Sequence, residues 1–385
     1  MERAYKFRLY PQQEQTIVLD RTLMLCRHLY NNALEERILA YGMAGKTINY
    51  YEQKRELVKV KDELPEYSDV YSHALQDVVS RLDKAYKAFF RRVKKGETAG
   101  FPRFKGRNRF NSVTYDRYGF RLRENGNLYA TGIGTIRMFK HREIVGMPKT
   151  CTIKRDAVGD WWATITATIP DVPKREPKTA IGIDVGLKNL AMLSTGERIE
   201  PPKLLMASEE KIKIIQKGVS RKVKGSNNRR KCVRRLAKAH RRVERQRDDY
   251  LHKASRSLAL KADTIVFENL NINGMLKNHH LAKSIGDAGW GKLMQYTAYK
   301  AEEAGGSVVF VNPNGTSQIC SRCGEMVRKS LAERVHVCTK CGFSTDRDLN
   351  ASLNILGRLG TGSVELHNKT PVEMLPLQLS KGGCK

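Results

Sequence analysis

The sequence predicts a multidomain α+β protein, and two observations support this prediction. The 385 residues are enough for two or three domains. Stretches with helical periodicity are separated from groups of short β-like runs. Lys and Arg total 70 against 40 Asp and Glu, which gives a net charge of +30. Such an excess indicates a polyanionic partner rather than a need for solubility alone.

The first half predicts a small β-barrel or sandwich into which helices are inserted. Residues 1–10 alternate basic and apolar side chains as a short strand does, and residues 11–95 have helical periodicity. Residues 96–178 consist of short β-like runs interrupted by Gly, Pro and aromatic residues. The proline-containing segment IPDVPKREPK closes this half near residue 178.

The second half predicts an α/β domain with an insert. TAIGIDVGLKNLAMLSTG is a strand that ends at Asp184 and turns into an antiparallel hairpin. A basic helix pair, a buried strand ending at Glu268, a helix and a further strand follow. The predicted ranges are 179–312 and 343–360 for the domain, 207–260 for its helix pair, 313–342 for the insert and 361–385 for a flexible tail.

Three carboxylates in this half predict a metal site. Asp184 and Glu268 each end an apolar run, where a charge is costly without a partner, although either alone also fits a solvated strand end. Asp348, at the start of a helix, supplies the third acid. Three converging carboxylates stay ionised only around Mg²⁺ or Mn²⁺. Two such ions suit phosphodiester hydrolysis.

Four cysteines predict a structural zinc centre. Two Cys-x-x-Cys pairs are separated by fourteen residues, a spacing at which four thiolates close a tetrahedral Zn²⁺ site. The alternative is that the four cysteines are unrelated. This pattern also indicates a reducing compartment. The four residues are Cys320, Cys323, Cys338 and Cys341.

Three quoted stretches resemble one family. GIDVGLKNLA, VFENLNINGM and the segment TSQICSRCG through VCTKCGFSTDRDLNASLNIL are similar to the RuvC motifs and zinc finger of TnpB, the RNA-guided nucleases of insertion sequences related to type V CRISPR effectors. The resemblance covers most of the chain. It implies a wedge domain (the barrel of 1–10 and 96–178), a helical recognition domain (11–95) and a ribonuclease-H-like RuvC domain with an inserted zinc finger.

The resemblance also implies an activity. The target is double-stranded DNA, selected by a guide RNA derived from the transposon end and by a short adjacent DNA motif. A single active site then cuts both strands. Asp348 matches the catalytic acid of the family's DxNAAxNI motif, and Asp346 is expected to cap a helix or orient Arg347. That helix is expected to start near Asn350 and to bury Leu353, Ile355 and Leu356.

Several residues are expected to contact nucleic acid. Residues 221–247 hold thirteen Lys or Arg, which favours a cationic helix along the guide–target duplex, with a solvated helix face as the alternative. Residues 103–110 interleave cations with the rings of Phe104 and Phe110, although an exposed basic β-edge looks the same. The resemblance adds readers of the adjacent motif, but Ser72 replaces the family's usual Lys. The expected contacts are Tyr51, Gln76, Arg103, Lys105, Arg107, Thr114, Arg234, Arg235, Arg241 and Arg242.

Two other functions stay open at this point. One is a nuclease-inactive, RNA-guided repressor, against which the intact Asp184, Glu268 and Asp348 speak. The other is a transposase or transposition accessory protein, for which no nucleophilic Tyr or Ser context is evident. We expect a cytoplasmic protein without a membrane span, nucleoid-associated on DNA and monomeric in its complex. Guide, target, adjacent motif and cut positions lie beyond the sequence, since pairing specificity resides in RNA.

Overall fold

A computed structural model describes residues 1–107, 109–330 and 333–359. The predicted flexible tail, 361–385, lies outside the described residues. The chain divides into two compact units, the first spanning Met1–Asp171 and the second beginning at Val172. This division falls within the proline-containing segment that was predicted to close the first half. The finer domain borders remain predictions.

The first unit is built on one seven-stranded antiparallel sheet that curls into a half-barrel. The predicted barrel is confirmed in this coarser form, with β2 and β3 as the two edges of the open sheet. On β1, Tyr5, Phe7 and Leu9 are buried at every second position, as the pleat requires. The strand order is β2-β6-β7-β1-β5-β4-β3. The strands are β1 (Glu2–Tyr10), β2 (Ser112–Asp116), β3 (Phe120–Leu122), β4 (Leu128–Ala130), β5 (Gly134–Phe139), β6 (Met147–Arg155) and β7 (Trp161–Thr168).

Helices between β1 and β2 complete this unit, so the helical prediction for residues 11–95 is confirmed. Asn49 caps α2, because its side chain accepts hydrogen bonds from the backbone N–H groups of Tyr51 and Glu52. Gly45 ends α1 with a φ of 62°, which favours glycine. The buried side chains of α1 and α3 join those of the sheet in one core. The helices are α1 (Gln13–Ala44), α2 (Tyr50–Glu63), a 3₁₀ turn (Pro65–Asp69) and α3 (Ser72–Lys94).

The second unit contains a five-stranded sheet in the order β10-β9-β8-β11-β12. Strands β8, β11 and β12 run parallel to one another. Strand β9 pairs antiparallel with β8, and β10 pairs antiparallel with β9, so the predicted hairpin after Asp184 is confirmed. All five residues of β11 are buried, as expected for a central strand covered on both faces. The strands are β8 (Ala180–Asp184), β9 (Ala191–Leu193), β10 (Arg198–Ile199), β11 (Thr264–Glu268) and β12 (Ser307–Val311).

Among the described residues of this unit, the remaining elements are six helices and a small hairpin. The predicted basic helix pair corresponds to α4 and α5, which pack against each other. No described helix combines the length and the apolar character that crossing a bilayer requires. The helices are α4 (Leu204–Ser220), α5 (Asn227–Lys261), α6 (Ile272–Met275), α7 (Ala282–Ala288), α8 (Trp290–Glu303) and α9 (Arg347–Gly357); the hairpin pairs β13 (Val335–Val337) with β14 (Ser344–Asp346).

The base of the basic helix pair is fixed by a buried ion pair. Arg247 on α5 lies 2.8 Å from a carboxylate oxygen of Asp287, and both side chains are largely buried. The same carboxylate accepts a hydrogen bond from the backbone N–H of Leu205 at 3.0 Å, where α4 begins. The carboxyl-terminal half of α5 continues into the core through Leu251 and Leu258. One end of the pair is therefore anchored and the other is left to solvent.

Helix α9 differs from its prediction in both start and buried face. It begins at Arg347 rather than near Asn350, because the side chain of Asp346 caps its first turn. Ala351 and Ser352 are fully buried, whereas Leu353 and Leu356 are only half-buried; of the three predicted residues, Ile355 alone is fully buried. The predicted face was wrong because α9 lies almost against the backbone of β8, where small side chains fit.

The close approach of α9 to β8 depends on Gly182. A Cβ atom at this position would lie 2.2 Å from the carbonyl oxygen of Ser352 and 2.6 Å from the backbone nitrogen of Leu356. Both neighbours are backbone atoms of the helix and cannot rotate away. Glycine at position 182 therefore sets the distance between α9 and the sheet.

We expect Gly182→Ala to destabilise the protein by about 1–3 kcal/mol, the usual cost of overpacking, because α9 must move off the sheet. The measurement is the free energy of unfolding in denaturant. Gly286→Ala is the matched control, since a Cβ there meets no atom within 4 Å. Equal unfolding free energies for Gly182→Ala and the wild type would contradict this account of the packing.

Candidate active site and cysteine centre

The ends of two adjacent parallel strands bring the first two predicted carboxylates side by side. Strand β11 pairs with β8 so that Phe267 lies opposite Ile183. Asp184 and Glu268 are the next residues on these strands and therefore end them together. The carboxyl ends of parallel strands in open α/β sheets are where ligands bind.

The pKa of the Asp184 carboxyl depends on its burial and on the charged residues around it. The pKa of this carboxyl is raised well above its ordinary value, first by burial and then by the negative charges of Glu268 and Asp348, while Arg347 opposes the shift. Glu268 and Asp348 therefore each lie within electrostatic range of Asp184, and Asp346 raises its pKa in the same direction. Among the described residues, however, the cysteines alone place three or more ligand atoms all within 4.8 Å of each other, so the carboxylates form a looser group.

Glu268 is held by a hydroxyl group. Its buried carboxylate accepts a hydrogen bond from the side chain of Thr316, which is itself only 3% exposed. Burial raises the pKa of Glu268, and the Thr316 hydrogen bond and the charge of Arg358 act in the opposite direction. The side chain is thereby fixed at the strand end.

The two aspartates at the start of α9 have different surroundings. Oδ1 of Asp346 accepts hydrogen bonds from the backbone N–H groups of Asp348 at 2.8 Å and Leu349 at 3.3 Å, which is a helix cap and one of its two predicted roles. Asp348 lies in the first turn of α9, with its carboxylate 3.2 Å from the guanidinium of Arg347. Asp346 thus caps the helix, whereas Asp348 is paired with Arg347 and its charge acts on Asp184 more strongly than that of Asp346.

The four predicted cysteines meet in one cluster. Their sulfur atoms all lie within 4.8 Å of one another, with Cys320–Cys341 at 3.7 Å and Cys323–Cys338 at 3.5 Å. Bonds of about 2.3 Å to one tetrahedral zinc ion would put sulfur atoms about 3.8 Å apart, so the spacing fits. Such a cluster could hold a metal ion with no position left open for substrate.

Each cysteine pair is wrapped by the same backbone turn. The N–H of Gly324 donates to the carbonyl of Cys320, and the N–H of Gly342 donates to that of Cys338. Both glycines have positive φ, 77° and 69°, which this turn requires. Backbone N–H groups, first that of Cys341, lower the pKa of the Cys338 thiol to about 6. At Cys323 the backbone N–H of Glu325 also lowers the pKa, but burial and the neighbouring sulfur atoms outweigh it and raise that pKa to about 12. Cys338 is therefore the thiol that is favoured as a thiolate.

The residues of the first unit that are expected to contact nucleic acid differ in solvent exposure. Tyr51 is exposed at the start of α2, and Arg103 and Arg107 are exposed in the segment before β2. Lys105 is half-buried, with its backbone bound on both sides by the Asn31 side chain. Its pKa is lowered, mainly by burial.

Two expected readers of an adjacent DNA motif lie on α3 and β2. Gln76 is half-buried on α3. The hydroxyl of Thr114 on β2 accepts a hydrogen bond from Arg81 at 2.7 Å and lies 3.1 Å from that of Thr152. Thr114 is therefore already engaged within the protein, which sequence reasoning did not anticipate.

The four expected arginines of the second unit all lie in the amino-terminal half of α5. Arg234, Arg235 and Arg242 are exposed, and Arg241 is half-buried with a partner within the protein. This half of the helix lies beyond the part that packs into the core. The exposed cations consequently present a long basic face.

Sequence reasoning missed several residues around the site. Thr316 binds Glu268, Arg347 pairs with Asp348, and Asn350 and Asn354 on α9 bind the loop before the cysteines. Their signal in the sequence is weak. Two asparagines four residues apart in a helix share one face, and the polar pair Thr316–Ser317 precedes the first cysteine pair.

Comparison with known families places these features in one class. A family model described as "Probable transposase" (OrfB_IS605) matches residues 164–279, and one described as "Cas12f1-like, TNB domain" matches residues 290–355. These ranges contain Asp184 and Glu268 in the first and all four cysteines with Asp348 in the second. A third model, "Helix-turn-helix domain", matches residues 1–46, where the structure has β1 and the single helix α1.

Full-length relatives give the family itself. A Streptomyces pristinaespiralis protein named "Putative RNA-guided DNA endonuclease" is 35% identical over 364 residues, covering 92% of this chain and 89% of the relative. InsQ of Escherichia coli K12, with the same description, is 31% identical over 92% of this chain and 91% of its own length. "TnpB-like protein L770" of Acanthamoeba polyphaga mimivirus is 24% identical over 91% and 72%. The chain belongs to the TnpB family.

Two solved structures of CRISPR effectors align with most of this chain. The "Cryo-EM structure of the Cas12f1-sgRNA-target DNA complex" matches at 17% identity and a TM-score of 0.36, covering 92% of this chain and 99% of that one. The "Structure of the mini-RNA-guided endonuclease CRISPR-Cas_phi3" matches at 10% identity and a TM-score of 0.47, covering 92% of each chain.

We expect Asp346→Ala to lower the free energy of unfolding by about 1 kcal/mol, because the first turn of α9 loses its cap. Asp346→Asn should keep stability within a few tenths of a kcal/mol, since Asn caps as well as Asp. The exposed ion pair of Asp346 with Arg198 adds little. Chemical denaturation measures both variants; unchanged stability of the Ala variant would remove the capping role.

Proposed function

We propose that this protein is an RNA-guided DNA endonuclease of an insertion sequence that hydrolyses phosphodiester bonds with two Mg²⁺ or Mn²⁺ ions. The observation that carries the proposal is the arrangement at the sheet edge. Asp184 and Glu268 end adjacent parallel strands, and the charge of Asp348 reaches Asp184 strongly enough to help raise its pKa. The names of the relatives from Streptomyces and Escherichia coli point to the same activity.

The topology of the second unit supports a ribonuclease-H-like, RuvC-type domain. An antiparallel meander is followed by two parallel strands, and a late helix packs on the first strand of the sheet. This order puts one acid on β8, one on β11 and one on α9. It is the order in which the sequence resemblance assigned the three catalytic acids.

The donor set fits hard divalent cations. Asp184, Glu268 and Asp348 offer only carboxylate oxygens, which Mg²⁺ and Mn²⁺ prefer. Burial, followed by the charges of Glu268 and Asp348, raises the pKa of Asp184, so a bound cation would favour its charged form. When bound, two metal ions activate a water and stabilise the leaving oxygen of the phosphodiester.

The protein's own groups supply position. The β8–β11 pairing fixes Asp184 and Glu268 relative to each other, and α9 brings Asp348 to the same edge. Arg347 forms an ion pair with the carboxylate of Asp348 and so fixes the position of that side chain beside the other carboxylates. Because Arg347 is a permanent cation beside the site, it is also suited to orient a DNA phosphate.

The cysteine cluster is proposed to hold one structural Zn²⁺. Four thiolates leave no open coordination position, so the ion stabilises the fold and does not take part in hydrolysis. The cluster lies between β12 and α9 in the chain, and α9 carries Asp348. Zinc binding would therefore fix the start of the segment that delivers the third acid.

The proposed partners are a guide RNA derived from the transposon end and a target DNA duplex, bound by a monomeric protein. The exposed arginines of α5 support a place for the guide–target duplex, since phosphate contacts dominate such binding. Tyr51 and Gln76 are proposed to read the adjacent DNA motif, because an amide can pair with adenine in the major groove. Thr114 would have to exchange its bond with Arg81 to join them.

The decisive experiment is a cleavage assay of the protein purified with its RNA, on a plasmid that carries the matching target. Wild type should cut both strands only with Mg²⁺ or Mn²⁺. Asp184→Ala, Glu268→Ala and Asp348→Ala should bind the target normally and cut roughly 10³-fold more slowly or not at all, because each removes a metal ligand.

Asp346→Asn is the matched control and should cut at a rate near that of wild type. Guided binding without metal-dependent cutting by the wild type would favour the repressor, and strand joining would favour the transposase. Cutting by Asp348→Ala with none by Asp346→Asn would show that Asp346 is the third acid.

We expect wild-type protein purified without chelator to contain about one zinc per chain. Joint replacement of Cys338→Ser and Cys341→Ser should remove the zinc and expose residues 313–342 to protease, because metal binding and folding are coupled. Cys232→Ser, a half-buried cysteine on α5, should keep the zinc. Metal analysis decides, and wild type without stoichiometric zinc would contradict the assignment.

A further inference from the structure

One face of α9 is polar, and its side chains bind backbone groups. Asn350, Asn354 and Arg358 are spaced four residues apart, so they line one side of the helix. Nδ2 of Asn350 donates to the carbonyl oxygen of Ile319 at 2.7 Å, and its Oδ1 accepts from the N–H of Ser321 at 2.9 Å. Asn350 is fully buried, and its bonds flank Cys320 on both sides. We call these three residues the polar stripe.

The next residue of the polar stripe reaches the loop before the cysteines. Nδ2 of Asn354 donates to the carbonyl oxygens of Thr316 at 2.8 Å and Ile319 at 2.6 Å. Arg358 continues the pattern and donates to the carbonyl oxygens of Asn312 and Asn314, the latter at 2.6 Å. The polar stripe therefore binds the backbone from residue 312 to residue 321 along its length.

This loop carries the hydroxyl that binds Glu268. The Thr316 side chain donates to the Glu268 carboxylate and lies 3.1 Å from the carbonyl oxygen of Pro313. A single hydroxyl proton serves one acceptor at a time, and a charged carboxylate is the stronger acceptor. The hydrogen bond restricts how the carboxylate can rotate at the end of β11.

We propose that Thr316 is a positioning residue for Glu268 and that the polar stripe holds Thr316 in place, which couples the cysteine centre to the candidate active site. The chain of contacts runs from Cys320 through Asn350 and Asn354 to Thr316 and then to Glu268. The proposal rests on the proposed role of Glu268 as a metal ligand. Groups that orient a metal ligand typically change metal affinity about 10–100-fold when removed.

The test uses Thr316→Val, which keeps the shape of the side chain and removes the hydroxyl, and Thr316→Ser, which restores it. In the RNA-bound protein, Mn²⁺ affinity measured by electron paramagnetic resonance should fall about tenfold or more in the Val variant. The rate of cutting at saturating target should fall by a similar factor. Zinc content and guided DNA binding should stay unchanged, and the Ser variant should recover both lost properties.

Asn354→Ala tests the polar stripe. It should weaken Mn²⁺ binding in the same direction while zinc is retained, because Thr316 loses its hold on the helix. Gln318→Ala is the control, an exposed side chain on the same loop, and should behave as wild type. Wild-type Mn²⁺ affinity in Thr316→Val, or equal loss in Thr316→Val and Thr316→Ser, would overturn the proposal.

The two proposals fail in different ways. A wild-type complex that binds Mn²⁺ in a Thr316-dependent manner but does not cut DNA would overturn the proposed endonuclease and support the positioning role. A wild-type complex that cuts DNA with no dependence on Thr316 would support the endonuclease and overturn the positioning role.

Discussion

Repulsion among three carboxylates at one edge of a sheet is the constraint on which the second unit depends. Folding brings Asp184 and Glu268 to adjacent strand ends and carries Asp348 within range of Asp184, whose pKa is raised first by burial and then by these two charges. A sheet edge selected for stability alone would not gather like charges in a buried place. The surrounding structure offsets part of this cost, with Thr316 at Glu268 and Arg347 at Asp348. Such local conflict with stability is typical of functional sites.

Small residues let the third acid reach that edge. Gly182 removes the side chain that would otherwise separate β8 from α9, and Ala351 and Ser352 do the same from the side of the helix. The Asp346 cap then fixes where the helix begins, which places Asp348 in the first turn. Packing and capping together convert a sequence position into a position in space.

Much of this architecture could be predicted from the sequence because its signals are periodic or strongly spaced. The helices of residues 11–95, the hairpin after Asp184, the basic helix pair and the cysteine cluster follow from apolar periodicity and from ligand spacing. The buried face of α9 was predicted incorrectly, because hydrophobicity favours leucine where close packing favours Ala351 and Ser352. Thr316 and the polar stripe were missed because bonds from side chains to distant backbone leave no local pattern. Thr114 was assigned from sequence without knowledge of its bond to Arg81.

The contacts that anchor the second unit are concentrated around the carboxylates, whereas the basic half of α5 is exposed. Helix α5 is fixed near its middle by the buried Arg247–Asp287 pair and at its carboxyl-terminal end by the core, while its amino-terminal half carries exposed arginines. The site edge, by contrast, is tied on every side by strand pairing, by the helix cap and by bonds to the cysteine loop. A polyanion can therefore bind to the basic half of α5 without changing the positions of the carboxylates. Binding long nucleic acid requires such adaptability, whereas hydrolysis requires groups fixed to within a fraction of an ångström.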